Sequence, residues 1–237
     1  MFNIINFDTL PSTNKYLKEH YNDYSEFTVV ITNNQTNGKG RMARVWNSTS
    51  DSLTFYILLK PNIDSNKISN ISLVTGASIC KVINRYIKSQ IKWPNDIMVN
   101  NKKLAGILVE GISSNKIDAI VVGIGINVND TLFKDDLLIK ATSLKNELKK
   151  KINKEQLLQE ILKEFYDLYI KFINNNNDYL DICINNNYLK EKQVYVNNEL
   201  ITVLDINNNG NLVILDSNNN KKELYFGEVT LNKIYQE

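Results

Sequence analysis

Lys92-Trp-Pro-Asn-Asp-Ile-Met-Val-Asn-Asn-Lys-Lys-Leu-Ala-Gly-Ile-Leu-Val-Glu-Gly111 is the stretch from which the chain is best read. Pro94 fixes its own φ and biases Trp93 towards an extended conformation, so the chain enters on a defined path. Asn100-Asn101 is turn chemistry between two apolar runs, Ile97 to Val99 and Leu104 to Val109, which predicts a hairpin. Asn95 and Asp96 precede the first strand and Lys102-Lys103 open the second, beside a Gly106 that permits close backbone approach. An amide, a carboxylate and an amine would then converge on one pocket. An ordinary hairpin with a charged tip is the plainer reading of the same residues.

Outward from the hairpin, the pattern alternates strands and helices. Strands are expected at Phe2 to Phe7, Phe27 to Thr32, Leu53 to Leu59 and Ile117 to Val128. A long helix from about Lys67 to Lys88, capped by Asp64 or Ser65, has Ile71, Val74, Ala77, Ile79, Val82, Ile83 and Tyr86 at helical spacing. Glu155 to Asn174 is a second amphipathic helix, and Ala141 to Leu144 starts a charged helical region. From Tyr188 the texture changes to short strands at Gln193 to Val196, Leu200 to Ile206, Leu212 to Asp216 and Glu223 to Phe226, with a hairpin turn at Asn209-Gly210. The expected fold is α+β: a mixed sheet flanked by helices over residues 1–187, and a small SH3-like barrel over 188–237.

Composition narrows the function. A formal charge of +2 in 237 residues gives no electrostatic case for nucleic acid. Two cysteines and one histidine exclude a zinc site of the usual ligand spacing. Cys80 and Cys183 sit among apolar neighbours and read as buried structural thiols. Neither a signal-peptide pattern nor a bilayer-length apolar run occurs, so a cytoplasmic protein is expected.

Other segments carry polar chemistry. Ser12-Thr13-Asn14 opens a short helix, where a hydroxyl can act as an N-cap. Between Asn33 and Trp46 lies an irregular loop containing Gln35, Gly38, Lys39, Gly40, Arg41 and Arg44. It is not a phosphate-binding loop of the Walker A kind, whose glycines stand five apart before Lys-Ser/Thr. Gly123-Ile-Gly-Ile-Asn-Val128 lacks the third glycine of a dinucleotide fingerprint and lies inside an apolar strand, where glycine marks close approach by a ligand or by another part of the chain.

Taken together, Lys-Trp-Pro-Asn-Asp, Lys-Leu-Ala-Gly-Ile-Leu-Val-Glu, the Gly38–Trp46 loop and Gly-x-Gly-Ile-Asn resemble, in order, the motifs of the biotin–protein ligases. The resemblance covers Phe7 to about Asn129, with a weaker echo at Phe226 to Leu231. It implies activation of biotin by ATP and Mg²⁺ to biotinyl-5′-adenylate, then transfer to a lysine of a biotin carboxyl carrier domain. It assigns Ser12, Thr13, Asn14, Gln35, Gly38, Lys39, Arg41, Lys103, Gly106, Gly123 and Gly125 to biotin. Arg41, Arg44, Trp46, Asn95, Lys103, Asn127 and Ala141 fall to ATP, and Lys103, Arg41 and Asp96 to catalysis, with no dedicated metal site. Two positions depart from the family loop, Lys39 where arginine is common and Ala43 where glycine is common. The chain opens on the first catalytic strand, so the DNA-binding winged helix of the biotin-sensing repressors is not expected. Lipoate or octanoate transfer on the same fold is the enzymatic rival, a non-catalytic biotin-binding module is another, and homodimerisation through a sheet edge stays open.

Overall fold

The structure is a computed structural model that describes residues 2–46, 48–113, 117–133, 140–225 and 230–231. Seven strands form the main sheet: β1 (Asn3–Leu10), β2 (Thr28–Gln35), β3 (Leu53–Leu59), β4 (Gln90–Lys92), β5 (Asp96–Val99), β6 (Lys102–Ser113) and β7 (Ile117–Ile126). Their spatial order is β1-β2-β3-β7-β6-β5-β4, with β1 and β2 parallel and every other pair antiparallel. The mixed α+β character expected from the sequence is present.

Helix α1 (Thr13–His20) lies on one face of the sheet, where Leu17 packs with Val30, Tyr56, Leu58, Ala119 and Val121. The opposite face is covered by α2 (Ile68–Ile83), α4 (Lys154–Ile173) and α5 (Asp178–Asn185), with the short α3 (Leu144–Leu148) at its end. The inner stripe of α4, from Leu157 to Phe172, is buried as its periodicity predicts. Asn153 caps that helix, accepting from the N–H groups of Glu155 and Gln156.

Several boundaries differ from the sequence reading. The helix expected to reach Lys88 ends at Ile83, where the Asn84 side chain turns back to accept the Ser89 N–H at 2.6 Å. Neither Asp64 nor Ser65 caps it by a side chain; the Ser65–Lys67 turn is closed by backbone bonds. Phe27 falls outside its strand, with φ at 63°. Strand β4 and helix α5 were not foreseen, being short and weakly patterned.

The β5–β6 hairpin turns at Asn100 and Asn101, whose φ values of 48° and 62° have the sign demanded by a turn that matches strand twist. The Trp93–Pro94 peptide is cis. Trp93 is buried and its indole N–H donates to the Gly210 carbonyl at 3.0 Å, across to the second sheet. That sheet, β8 (Gln193–Val196), β9 (Glu199–Ile206), β10 (Leu212–Leu215), β11 (Lys221–Leu224) and β12 (Thr230–Leu231), is antiparallel in the order β11-β10-β9-β8-β12. Its Val194, Ile201, Val203, Ile206, Leu212 and Ile214 join the same apolar cluster as the helices. Of the Phe226–Leu231 segment, Phe226 to Val229 lie outside the described residues, and Thr230–Leu231 pair with β8. No helix among the described residues is long and apolar enough to cross a membrane.

Candidate active site

A register fault in the hairpin builds the site. Ile97 faces Ala105 but Met98 faces Lys103, so Leu104 is an extra residue in β6. In a regular strand, residues 103 and 106 would point to opposite faces; one inserted residue brings them to the same face. Asp96 sits opposite Gly106 on the neighbouring strand. The Lys103 ammonium therefore lies 2.7 Å from Asp96 Oδ1 and 3.1 Å from where a Cβ on Gly106 would be. The Ala141 backbone bridges to Lys103, and the Thr142 N–H donates to its carbonyl at 3.0 Å.

The floor continues across the sheet. Gly106 faces Gly125, which faces Thr54; Leu108 faces Gly123, which faces Tyr56. Both β7 glycines lie beneath the chain's own aromatic rings. A Cβ at Gly125 would lie 2.2 Å from the Trp46 indole, and one at Gly123 would lie 2.3 Å from the Tyr56 ring. The free space left in the cleft is about 50 Å³, because these rings and Lys103 occupy the floor.

The loop of Gly38 to Trp46 forms the rim. The Arg41 guanidinium donates to Asn95 Oδ1 at 2.8 Å, while Asn95 Nδ2 donates to the Ile107 carbonyl at 3.0 Å, so Asn95 links the loop to the sheet. Within the loop the Trp46 N–H donates to the Gly38 carbonyl and the Gly40 N–H to the Arg44 carbonyl. The left-handed residue in the tight turn is Met42, with φ 54° and ψ 42°, rather than Ala43. A glycine at 43 is therefore not needed for the conformation seen. Lys39 and Arg41 line the cleft; Arg44 is exposed and does not.

At the far end, Ser12 caps α1, accepting from the Lys15 N–H at 3.4 Å. The Thr13 N–H donates to Gln35 Oε1 at 3.0 Å, and Asn14 Nδ2 donates to Glu110 Oε2 at 2.6 Å. Four buried polar atoms along the cleft make no hydrogen bond: Thr13 Oγ1, Gln35 Nε2, Trp46 Nε1 and Thr54 Oγ1. Asp96 Oδ1 joins them in lacking hydrogen-bond geometry despite its ion pair. Such groups are uncommon in finished cores, and their grouping marks a surface built to meet a polar ligand. Burial pushes the Tyr56 hydroxyl up to about 12, with the Gln35 side chain working against it, so this phenol stays protonated at neutral pH. Asn127 has a different place: its Nδ2 donates to the Thr142 carbonyl, fastening the 141–144 segment beside Lys103.

The profile of the biotin/lipoate A/B protein ligase family matches residues 6–127, which hold every part of this cleft except the 141–144 segment. The chain belongs to that family. In keeping with a biotin/lipoate ligase, it superimposes on the biotin protein ligase of Aquifex aeolicus in complex with biotin and ATP, with a TM-score of 0.88 and 28% identity, over 98% of this chain and 99% of that one. It is 36% identical over 173 residues to the bifunctional ligase/repressor BirA of Bacillus subtilis, covering 70% of this chain and 53% of the relative. It is also 30% identical over 104 residues to the biotin–[acetyl-CoA-carboxylase] ligase of Paracoccus denitrificans, covering 42% of this chain and 43% of that protein. The chain thus spans about half the length of the curated relatives it matches.

Three residues of this ligase-family site escaped the sequence reading: Thr54, Tyr56 and Glu110. The first two had a visible signal, since they are the polar members of an otherwise apolar strand, two positions apart. Glu110 closes the apolar run of β6 and reads on sequence as its solvated end.

Proposed function

We propose that the chain is a biotin–protein ligase. It joins biotin to ATP as biotinyl-5′-adenylate and passes the biotinyl group to a lysine on the biotin carboxyl carrier domain of a carboxylase. The observation that carries this reading is the Lys103 ammonium, paired with Asp96 at 2.7 Å and seated over Gly106 beside the Arg41 rim. Supporting it is the likeness of nearly the whole chain to a ligase whose structure holds both biotin and ATP.

In the first step a biotin carboxylate oxygen bonds to the α-phosphorus, the bond to the β-phosphate oxygen breaks, and pyrophosphate leaves. Both reactants are anionic. Lys103 and Arg41 offset the repulsion, and each group of this kind contributes about 3–4 kcal/mol to a transition state. In the second step the lysine amine bonds to the acyl carbon, the carbon–oxygen bond of the anhydride breaks, and AMP leaves. Asp96 is the carboxylate beside that centre and orients the amine or takes its proton. At the other end, the unpaired Thr13 Oγ1 and Gln35 Nε2 suit the cyclic urea of biotin, with Ser12, Asn14, Gly38 and Lys39 around them. The Tyr56 and Trp46 rings fill the space over Gly123 and Gly125 that the tail would take, so entry of the ligand requires Trp46 to move. Trp46, Asn95, Asn127 and Ala141 border the nucleotide, and Arg44 acts from the rim.

The described residues hold no group of three acidic, histidine or cysteine side chains suited to a metal. Asn95 and Asp96 carry the oxygens of the cleft that would hold a nucleotide-bound Mg²⁺, which would supply charge neutralisation. The reading further assigns residues 1–187 to catalysis and 188–237 to an accessory domain, in a cytoplasmic protein that does not depend on nucleic acid. The test is incubation with ATP, Mg²⁺, biotin and a carboxylase carrier domain, read by intact mass. One biotinyl addition on the carrier, dependent on ATP, is expected. No addition, or a lipoyl adduct in a competition with lipoate, overturns the proposal.

A further inference from the structure

Glu110 is on the cleft face of β6, two residues on from Leu108 and opposite Val121. Its two carboxylate oxygens have separate partners: Oε2 accepts from Asn14 Nδ2 at 2.6 Å and Oε1 from Lys18 Nζ at 3.0 Å. Asn14 is 5% exposed, and among the described residues its Oδ1 accepts no hydrogen bond. The next residue back, Thr13, carries one of the unpaired buried oxygens and donates its N–H to Gln35.

A carboxamide has a donor end and an acceptor end, and little in its shape decides which way it faces. An ionised carboxylate only accepts. Glu110 therefore selects one orientation: the Asn14 nitrogen faces the carboxylate and the oxygen faces away from it. The second carboxylate oxygen is taken by the Lys18 ammonium, which leaves the first facing Asn14. We infer that Glu110 is a positioning residue that fixes Asn14 Oδ1 as an acceptor at the ring end of the cleft, so that the cleft selects a ligand presenting N–H there. A cyclic urea meets that demand, whereas a dithiolane ring or a hydrocarbon chain leaves the acceptor unpaired, at the cost of an unmade hydrogen bond. This inference rests on the ligase reading and adds to it the origin of ligand choice.

The experiment exchanges the two ends of the bond. Asn14→Asp sets two carboxylates against each other. Glu110→Gln removes the acceptor-only partner. The double variant Asn14→Asp/Glu110→Gln restores a donor–acceptor pair, with the introduced glutamine amide now donating, and still leaves an oxygen on residue 14 facing away. Biotin binding is measured by calorimetry, together with the KM for biotin, the KM for ATP and the melting temperature of each variant. Asn14→Asp should weaken biotin binding about tenfold or more, and the double variant should recover most of that loss, a coupling of the size found between groups in contact. The KM for ATP should stay within about twofold of the starting protein in all three, since the change is confined to the ring end. A double variant no better than Asn14→Asp, in proteins that melt alike, overturns the inference while leaving the ligase reading intact. Failure of the unaltered protein to bind biotin overturns both.

Discussion

Strand β7 serves two faces that differ in almost every physical respect. Ile120, Val122, Ile124 and Ile126 point to the helices and belong to the large apolar cluster; Ala119, Val121, Gly123 and Gly125 alternate with them on the cleft side. Strand β3 repeats the division, with Leu53, Phe55, Ile57 and Leu59 behind, and Thr54, Tyr56 and Leu58 in front. Behind, branched aliphatic side chains and Phe55 pack against the helices and carry no polar atoms. In front, glycines sit under aromatic rings, and several polar atoms have no protein partner. A period of two lets a single strand be packed to the limit on one side and left incomplete on the other. The first face makes the molecule stable, and the second gives it something to bind.

That contrast predicts opposite consequences for substitutions on adjacent residues. The largest concerns the cleft: Lys103→Ala should slow pyrophosphate release about 10²- to 10³-fold, the usual loss when one charge-stabilising donor is removed. Its melting temperature should hardly change, because the side chain is 35% exposed and its only described ion pair is with Asp96. Behind the sheet, Ile124→Ala should cost about 3 kcal/mol of stability through lost burial and a cavity. In a chain of this size that lowers Tm by roughly 6–12 °C. Turnover per folded molecule should remain near normal. A Lys103 variant that unfolds, or an Ile124 variant that stays stable but inactive, would erase the distinction between the faces.

Much of the fold was legible because its signals are local. The Asn100-Asn101 turn, the α4 stripe and the strands of the main sheet follow from turn chemistry and periodicity. Lys103, Asp96, Gly106, Arg41 and Asn95 were also read from sequence, and they lie together. What could not be read was the register. The extra residue at Leu104, which turns Lys103 and Gly106 to one side, leaves no mark in an apolar run. Nor could sequence reveal that Asn127 fastens a backbone segment by its amide, or that Arg44 is exposed, since both depend on where a loop lies over a sheet. Glu110 was hidden because a carboxylate at the end of an apolar run reads as a solvated strand terminus whichever side holds the site.

A smaller effect sharpens the account of the glycines. Gly125→Ala adds a single methyl whose carbon would fall 2.2 Å from the Trp46 indole. The backbone at 125 is ordinary strand, so alanine should be accepted there and the ring should give way. The expected result is a shift in tryptophan emission, with Trp46 and Trp93 the two contributors. Biotin or ATP should bind about tenfold more weakly, with Tm within about 2 °C of the parent, since the loss is one of fit rather than of core burial. Unchanged emission and affinity would mean that the indole does not rest on that glycine.

The smallest effect contrasts an open carboxylate with a closed one. Asp96 has a buried oxygen without hydrogen-bond geometry, whereas Asp216 in the second sheet is fully partnered. Its Oδ1 accepts from the N–H groups of Asn218 and Asn220 at 2.9 Å, and Lys222 lies 2.7 Å from Oδ2. Lys222 first, then the backbone donors, hold the Asp216 carboxyl down to about 2. An unfolded aspartate titrates near 3.9, so the stabilising contribution is complete above about pH 4 and is lost as pH falls towards about 2. Asp216→Asn should therefore lower Tm by about 2 °C at pH 7 and leave activity untouched. Because asparagine does not titrate, the two melting temperatures should converge as the buffer is taken from pH 5 to pH 2. A gap that stays constant over that range would mean that shape, not charge, stabilises the turn, and a loss of activity would mean that the partnered carboxylate reaches the cleft after all.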